Sequence, residues 1–271
     1  MSRRTLAPFG RRRAPVAAAG DVGAYRLLRC ADPGGPVPRP GQFYMLATAE
    51  LWGAGEDERP LLPRAFSFLR ALDGELEFLL EDIGPGTHRL AAVAPGEDLW
   101  ITGPLGEGFA APGGGTRPLL TGGGIGIVPL AGWQDQLRAA GHDAPALLGF
   151  RDAAHAAGAT LLSDVQVTTD DGSVGETGLV TGLLASALDR DHAVTVYACG
   201  PPPMLEAVRA LCAERGVPAQ LALEAGMACG YGACFGCVVP TRAGYVRVCV
   251  DGPVLDAARL ETALAAGAGH S

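Results

Sequence analysis

The sequence predicts a multidomain β plus α/β fold, with an N-terminal antiparallel β-barrel, a central α/β domain built on a parallel sheet, and a small cysteine-rich C-terminal domain. Short alternating apolar runs separated by Gly/Pro clusters fill residues 19–112. Apolar strands alternate with helix-length segments through residues 113–220, which is typical of a parallel sheet covered by helices. Four of the seven cysteines lie within residues 221–271. The arginine-rich residues 1–18 are predicted to form a flexible tail.

The composition excludes several classes of protein. Of the 271 residues, 48% are hydrophobic and 18% are charged, as in a globular protein. The net charge of −8 argues against a nucleic-acid partner, because phosphate binding needs a basic surface. No stretch approaches the roughly 18 consecutive apolar residues of a membrane-spanning helix. We therefore expect neither nucleic acid nor membrane as a partner. Because no signal peptide is recognisable, we expect a cytoplasmic location.

A four-residue motif in the predicted barrel has the chemistry of a flavin site. It opens a strand and reads Arg64, Ala65, Phe66, Ser67. A guanidinium can neutralise a pyrophosphate, an aromatic ring can pack on a flavin, and a hydroxyl can bond to the edge of the ring system. The alternative interpretation is an edge strand with an exposed arginine.

A glycine-containing turn follows one strand later. Gly86 and Thr87 stand at the start of a short helix, where free amide groups and a capping hydroxyl have the chemistry of an anion site. An ordinary capped turn explains the same residues equally well.

Two segments of the central domain predict a nucleotide site. Gly123, Gly124 and Gly126 form a turn between a strand and a helix, the context in which a glycine-rich turn binds a dinucleotide. Cys199 and Gly200 end a later strand, where open α/β sheets bind ligands and where small residues leave room for a flat ring. A buried cysteine at a strand end is the competing interpretation of the second segment.

The type of nucleotide is left open by the sequence. The second strand of the domain ends at Arg151 and Asp152. The aspartate could bind a ribose diol, as in NAD sites, and the arginine could bind a 2′-phosphate, as in NADP sites.

The cysteine spacing is the most specific signal in the chain. Cys229-x4-Cys234-x2-Cys237, with Cys249 further on, is the spacing of plant-type [2Fe–2S] ligation. The loop is rich in glycine, which lets backbone amides approach the sulfur atoms. A structural zinc site is the alternative, but zinc ribbons usually pair two Cys-x2–4-Cys units, and this segment has one. The spacing therefore favours an iron–sulfur cluster.

Together these motifs resemble the ferredoxin–NADP reductase superfamily. Within it, the chain resembles the electron-transfer subunit of class B dihydroorotate dehydrogenase over about residues 20–256. The segments that carry the closer resemblance are Gly103-Pro104-Leu105-Gly106-Glu107-Gly108-Phe109, Tyr197-Ala198-Cys199-Gly200-Pro201, Glu224-x-x-Met227-Ala228-Cys229-Gly230 and Val248-Cys249-x-Asp251-Gly252-Pro253-Val254.

The resemblance implies a function in pyrimidine biosynthesis. A partner subunit with FMN would oxidise dihydroorotate to orotate, and electrons would pass through the [2Fe–2S] cluster and FAD to NAD⁺. A flavin belongs between the other two centres, because a cluster carries one electron and a nicotinamide accepts two as hydride. The expected assembly is a heterotetramer with two copies of each subunit.

The resemblance also implies roles for individual residues. It assigns no residue of this chain as a catalytic acid or base. The implied flavin ligands are Arg64, Ala65, Phe66 and Ser67, with Gly86 and Thr87 at the phosphates. The implied nicotinamide site is formed by Gly123, Gly124, Gly126, Cys199 and Gly200. The implied cluster ligands are Cys229, Cys234, Cys237 and Cys249.

Two other functions remain open at this stage. A flavin and iron–sulfur subunit of another NAD(P)H-linked complex, such as a hydrogenase or a ferredoxin-dependent reductase, would share every motif. A non-enzymatic binding module held together by zinc is the more distant alternative.

Overall fold

The computed structural model describes residues 10–53 and 60–264 of the chain. Within them, seven strands form an antiparallel sheet: β1 (Arg12–Val22), β2 (Tyr25–Ala31), β3 (Phe43–Thr48), β4 (Arg64–Ser67), β5 (Arg70–Leu72), β6 (Glu75–Leu80) and β7 (Asp98–Leu105). Their order in space is β4-β3-β7-β1-β2-β6-β5. The edge strands β4 and β5 are at opposite ends of this order, yet they are almost adjacent in sequence. The sheet must therefore curl until its edges meet, which gives the predicted barrel.

The barrel closes around a core of fully buried side chains that alternate along its strands. They include Leu28, Tyr44, Phe78, Leu99 and Ile101. Helix α1 (Pro85–Ala91) crosses between β6 and β7.

Arg12 and Arg13 belong to the barrel strand β1, so the predicted flexible tail over residues 1–18 is wrong for residues 12–18. Strand β1 pairs with both β2 and β7 near the middle of the sheet. The Arg12 guanidinium donates two hydrogen bonds of 2.6 Å to the buried carboxylate of Asp32. Ala14 and Val16 alternate with the exposed Arg13 and Pro15 and point into the core. Residues 1–9 lie outside the described residues.

The second sheet is parallel except at one edge. Its strands are β8 (Arg117–Gly123), β9 (Ala146–Phe150), β10 (Val165–Thr169), β11 (Glu176–Thr177), β12 (Val194–Cys199), β13 (Ala219–Ala222) and β16 (Val254–Asp256). The order is β11-β10-β9-β8-β12-β13-β16, and only the β13–β16 pair is antiparallel. The helices of this part are α2 (Ile127–Ala139), α3 (Ala153–Ala156), α4 (Val180–Arg190) and α5 (Pro202–Arg215).

The direction of the connections changes between β8 and β12, which are neighbours in the sheet. From β8 the chain moves outward through β9 and β10, and it then returns to the other side of β8 as β12. Ligands bind outside the carboxyl ends of the strands at such a switch point. The turn at 122–126 follows β8, and Cys199 ends β12, so both predicted nucleotide segments lie at this point.

The cysteine-rich segment leaves the parallel sheet and returns to it. After β13 come the four-cysteine loop, a hairpin of β14 (Val238–Thr241) and β15 (Gly244–Arg247), the short helix α6 (Val248–Asp251) and finally β16. The predicted boundary between residues 220 and 221 therefore falls inside β13, and residues 254–256 lie in the central sheet. Sequence periodicity missed this return because β16 is only three residues long.

One buried cluster joins the three parts of the molecule. It contains Phe43 and Met45 from the barrel, Val196 from the parallel sheet, and Cys237 and Cys249 from the cysteine-rich segment. The three parts therefore share a continuous apolar core. Among the described residues, no helix is long and apolar enough to cross a membrane.

Candidate functional site

A cavity of about 420 Å³ lies where the barrel faces the switch point of the parallel sheet. The whole predicted flavin motif on β4 lines it: Arg64, Ala65, Phe66 and Ser67. Opposite the motif, Gly126 and Cys199 line the same cavity. The structure thus brings together predicted residues that are far apart in sequence.

Gly86 makes room for Arg64 at this cavity. A Cβ on Gly86 would be 2.6 Å from Arg64 Nε, too close for any side chain. The Arg64 side chain therefore lies across the start of α1, with Nη1 donating to the Leu62 carbonyl at 2.6 Å. Its guanidinium is held in the cavity wall, in a position to meet an anionic ligand.

The Thr87 hydroxyl lies on the cavity wall and is bonded within its own turn. Its Oγ1 accepts hydrogen bonds from the backbone N–H groups of Ile83 and Gly84, each at 2.9 Å. It also donates to the Gly84 carbonyl. The hydroxyl thus caps the turn, as expected both for an anion site and for an ordinary capped turn.

A second cavity of about 390 Å³ opens beside the first, and Glu81 lines both. Gly123 and Gly124 line the second cavity, together with Met204 from the start of α5. Gly200 packs against this methionine, because a Cβ there would be 2.7 Å from Met204 Cε. The five residues predicted for the nicotinamide are therefore divided, with Gly126 and Cys199 in the first cavity and the others at the second.

Close packing explains why the turn after β8 is rich in glycine. A Cβ on Gly126 would be 2.4 Å from the carbonyl oxygen of Cys199. The start of α2 can therefore rest directly on the end of β12, and the two cavities meet along this contact.

Charged residues crowd the far end of the second cavity. Arg151 Nη2 lies 3.1 Å from Glu81 Oε1 and 2.6 Å from His155 Nε2. His155 Nδ1 lies 2.7 Å from Asp152 Oδ1, and this hydrogen bond, with one from the His155 backbone, lowers the pKa of Asp152. Arg151 and Asp152, the two predicted nucleotide ligands, are thus linked to each other and to the barrel.

Glu224 was not predicted to line a cavity. It follows β13 and lines the first cavity, where it is exposed. Desolvation by the surrounding protein raises the pKa of its carboxyl. Burial, reinforced by Glu224, also raises the pKa of the Cys199 thiol. Two groups with raised pKa values therefore lie beside the cavity. An acidic residue directly after an apolar strand was the available sequence signal.

The four predicted cluster cysteines are arranged as two pairs. Hydrogen bonds link the side chain of Cys229 with that of Cys234, and the side chain of Cys237 with that of Cys249. Across the described parts of the chain, no three potential metal ligands surround a single point. Two pairs fit a [2Fe–2S] cluster, in which each iron takes two protein ligands.

Backbone amides are directed at these sulfur atoms. Burial opposes ionisation of Cys229, but amide hydrogen bonds from the loop outweigh it and lower its pKa to about 7. Gly236 N–H donates to Cys234 Sγ, and Cys249 N–H donates to Cys237 Sγ, each at 3.4 Å. Burial and the neighbouring Cys237 raise the pKa of Cys249 to about 12 in the metal-free chain. The donors are those that a thiolate-bound cluster needs.

Comparison with known proteins agrees with this site. Residues 224–261 match the family described as the iron–sulfur cluster binding domain of dihydroorotate dehydrogenase B. The dihydroorotate dehydrogenase B (NAD(+)), electron transfer subunit, of Geobacillus thermodenitrificans (strain NG80-2) is 40% identical over 230 residues, covering 80% of this chain and 85% of that protein. The same subunit from Clostridium acetobutylicum is 34% identical over 218 residues, covering 80% and 83%.

Solved structures give the fold. An NADH-dependent reduced ferredoxin–NADP oxidoreductase, studied for flavin-based electron bifurcation, superposes with a TM-score of 0.78 at 24% identity, covering 94% of this chain and 92% of that one. The ferredoxin reductase of a carbazole 1,9a-dioxygenase gives a TM-score of 0.67 at 24% identity, covering 77% and 66%. These likenesses confirm the predicted reductase-like fold.

The relatives match this chain along most of its length, well beyond the cysteine-rich segment. The resemblance predicted from the motifs is thereby confirmed. The chain belongs to the family of electron-transfer subunits of dihydroorotate dehydrogenase B.

Proposed function

We propose that this chain carries electrons from a catalytic dihydroorotate dehydrogenase subunit through a [2Fe–2S] cluster and FAD to NAD⁺. One observation supports this order above the others. The segment after β13 lines the first cavity from Leu223 to Met227 and reaches Cys229 two residues later. The cluster loop thus begins at the wall of the first cavity, and the second cavity lies beside the first.

In this proposal, the first cavity binds FAD. Bound FAD can exchange electron pairs with a nicotinamide and single electrons with a cluster. Arg64 would bind the pyrophosphate, with Gly86 giving it space. Phe66 and Ser67 would contact the flavin, and Thr87 would fix the turn that supports them.

Glu224 and Cys199 would lie beside the flavin in this cavity, and desolvation by the protein raises the pKa of both side chains. The apolar side chains of Leu79 and Val128 on the cavity wall would exclude water from the same region.

The second cavity would bind NAD in preference to NADP. Arg151 is the cation at this end, and it pairs with Glu81 and Asp152. Asp170 also lines the cavity. A 2′-phosphate would meet three carboxylates there, whereas a ribose diol can donate hydrogen bonds to them.

Family membership implies a catalytic partner, and we propose that this partner carries FMN and forms a heterotetramer with two copies of each subunit. The outer face of the cluster loop supports its approach. Cys234 is exposed, and so are Tyr231, Phe235 and Tyr245, at 52%, 63% and 79%. Aromatic side chains of this kind are enriched in protein interfaces.

The experiment that tests the function separates its two activities. In Cys234→Ser, reduction of a two-electron dye by NADH should persist, because it needs only the two cavities. Dihydroorotate-dependent NAD⁺ reduction by the reconstituted complex should be lost. Cys212→Ala, which changes a buried cysteine of α5, is the control and should keep both activities. Complex formation is checked by size. A Cys234→Ser complex that assembles and still reduces NAD⁺ would make the cluster structural.

A further inference from the structure

Arg247 connects the two halves of the cysteine segment. It is the last residue of β15 and stands two residues before Cys249. Its Nη1 donates to the carbonyl of Gly232 at 2.9 Å, and its guanidinium carbon lies 5.1 Å from the centre of the Phe235 ring. Its backbone N–H donates to Asp251 at 2.9 Å. The backbone of Arg247 is thus bonded to Asp251, and its side chain contacts the cluster loop at Gly232 and at Phe235.

Gly232, the residue that Arg247 holds, also contacts a cluster cysteine. Its N–H donates to the sulfur of Cys249, while its carbonyl accepts from Arg247. Its φ of +87° is in the left-handed region, and a Cβ there would be 2.5 Å from Val250 Cγ2 and 3.1 Å from Arg247 Nη1. A loop between the first pair of cysteines is therefore tied, through one glycine, to the second pair.

These contacts are of the kind that affects the reduction potential of an iron–sulfur cluster. Net charge and hydrogen bonds to the sulfur atoms set the reduction potential of an iron–sulfur centre. A nearby cation and an N–H donor both stabilise the reduced form, which carries one more negative charge, and both therefore raise the potential. Arginine suits the position because a planar guanidinium can stack on a ring and donate a hydrogen bond together, which an ammonium cannot do.

We propose that Arg247 is a positioning residue that sets the reduction potential of the cluster, by holding the Gly232 peptide against Cys249 and by placing its positive charge on the loop that carries Cys229 and Cys234. The proposal rests on the proposed function, in that the four cysteines bind a [2Fe–2S] cluster. It adds a residue that is not a ligand and that acts through another residue.

The test compares three variants of the full chain, purified without oxygen. Arg247→Gln keeps a donor and loses the charge, and Arg247→Lys keeps a charge and loses the planar group. Arg242→Gln is the matched control, because it removes the same charge from an exposed position in the turn of the same hairpin. Iron and sulfide contents are measured first. The potential of the cluster then follows from a redox titration monitored by electron paramagnetic resonance.

We expect Arg247→Gln to keep its iron and to have a one-electron reduction equilibrium about tenfold less favourable, which is a potential lower by about 59 mV. Its resonance spectrum should also change shape, because the Gly232 N–H moves relative to Cys249. Arg247→Lys should shift the potential in the same direction by less than tenfold. Arg242→Gln should match the wild type in potential and spectrum, and all variants should keep NADH-dependent dye reduction.

The outcomes distinguish a failure of the inference about Arg247 from a failure of the proposed function. A wild-type potential and spectrum in an iron-loaded Arg247→Gln would overturn the inference and leave the proposed function intact. A wild-type chain without iron and sulfide would overturn the proposed cluster itself. If Arg247→Gln loses its iron, Arg247→Lys decides: a shifted potential supports the inference, and a wild-type potential means that Arg247 is only structural.

Discussion

At the scale of the residue, the environment of a side chain decides its role more than its type does. Arg64, Arg12 and Arg247 are the same amino acid, yet they line a cavity, fill a buried ion pair and hold a cysteine loop, respectively. Gly86 gives the most direct test of the role of Arg64 at the cavity, because Gly86 affects Arg64 only by having no side chain to displace it.

We expect Gly86→Ala to weaken FAD binding about as much as Arg64→Ala does. The new Cβ would be 2.6 Å from Arg64 Nε and would displace the guanidinium. The expected loss is about 1.5–3 kcal/mol, the range for hydrogen bonds to charged groups. Titration of the apoprotein with FAD, followed by flavin fluorescence, measures it.

The control is Gly84→Ala, where a Cβ would meet nothing within 4 Å. Because Gly86 is expected to act through Arg64, the double variant should bind FAD no more weakly than Arg64→Ala alone. Additive losses would show that Gly86 contributes to the site in another way.

A second prediction concerns Glu206 and acid pH. This α5 residue accepts hydrogen bonds from Arg209 and, at 3.1 and 2.6 Å, from Thr262 Oγ1 and the Ala263 N–H. The Arg209 hydrogen bond contributes most to lowering the Glu206 pKa from near 4.5 to about 2. Because the folded-state pKa is the lower one, the stabilisation is complete above about pH 4.5 and is lost as the pH falls towards 2.

Glu206→Gln should therefore lower stability at pH 7 by about 1–2 kcal/mol, a figure reduced for partial solvent exposure. The difference from the wild type should shrink as the pH falls below about 4.5. Thermal unfolding at a series of pH values measures it, with the exposed Glu214→Gln on the same helix as the control. A difference that stays constant down to pH 3 would contradict the assigned pKa.

At the scale of the element, β1 shows how two adjacent arginines can differ. Arg12 pairs with Asp32, whose side chain is 6% exposed, while Arg13 pairs with Asp98 and is itself 60% exposed. Arg12→Ala leaves a buried carboxylate unpaired, so we expect a loss of about 3 kcal/mol and a Tm lower by roughly 5–10 °C. Arg13→Ala should cost less than about 1 kcal/mol. Equal shifts in the two melting temperatures would contradict the assignment of Arg12 to the core.

The same strand shows where prediction from sequence failed and why. Arginines at the start of the chain look solvated, and only the partner Asp32, twenty positions away along the chain, reveals that Arg12 is buried. The four cysteines could be proposed as cluster ligands from the sequence because cluster chemistry fixes the spacing of its ligands locally. Glu224 and the position of Gly86 under Arg64 were not, because each depends on contacts between segments that are distant in sequence.

At the scale of the whole molecule, the barrel and the parallel sheet meet through charge as well as through a shared core. Glu81 follows β6 of the barrel, whereas its partner Arg151 follows β9 and its partner His155 lies in α3. Glu81 also lines both cavities. In the proposed function, these ion pairs would link the contact between the two sheets to the choice of nucleotide.

Glu81→Gln should release Arg151 for a phosphate. We expect the ratio of kcat/KM for NADPH to that for NADH, measured by dye reduction, to rise by about tenfold, since a charge-assisted contact is gained and a repulsion is removed. Glu77→Gln, on the preceding strand β6 and paired with Arg29, should leave the ratio unchanged. An unchanged ratio in Glu81→Gln would show that Arg151 does not face the ribose.

The return of the chain through β16 makes the cysteine segment an insertion in the architectural sense. Ala222 of β13 pairs with Val254 of β16, and the Leu223 N–H donates to the Pro253 carbonyl at 2.9 Å. The segment between them begins and ends at neighbouring points of one sheet. Domains that are inserted into another domain also have their two ends close together. The two ends of the segment therefore lie at a single edge of the sheet. A reductase of this fold could acquire an electron-carrying module by splicing it in at one sheet edge, and a cut within the module would leave both fragments attached to the sheet by their own strands.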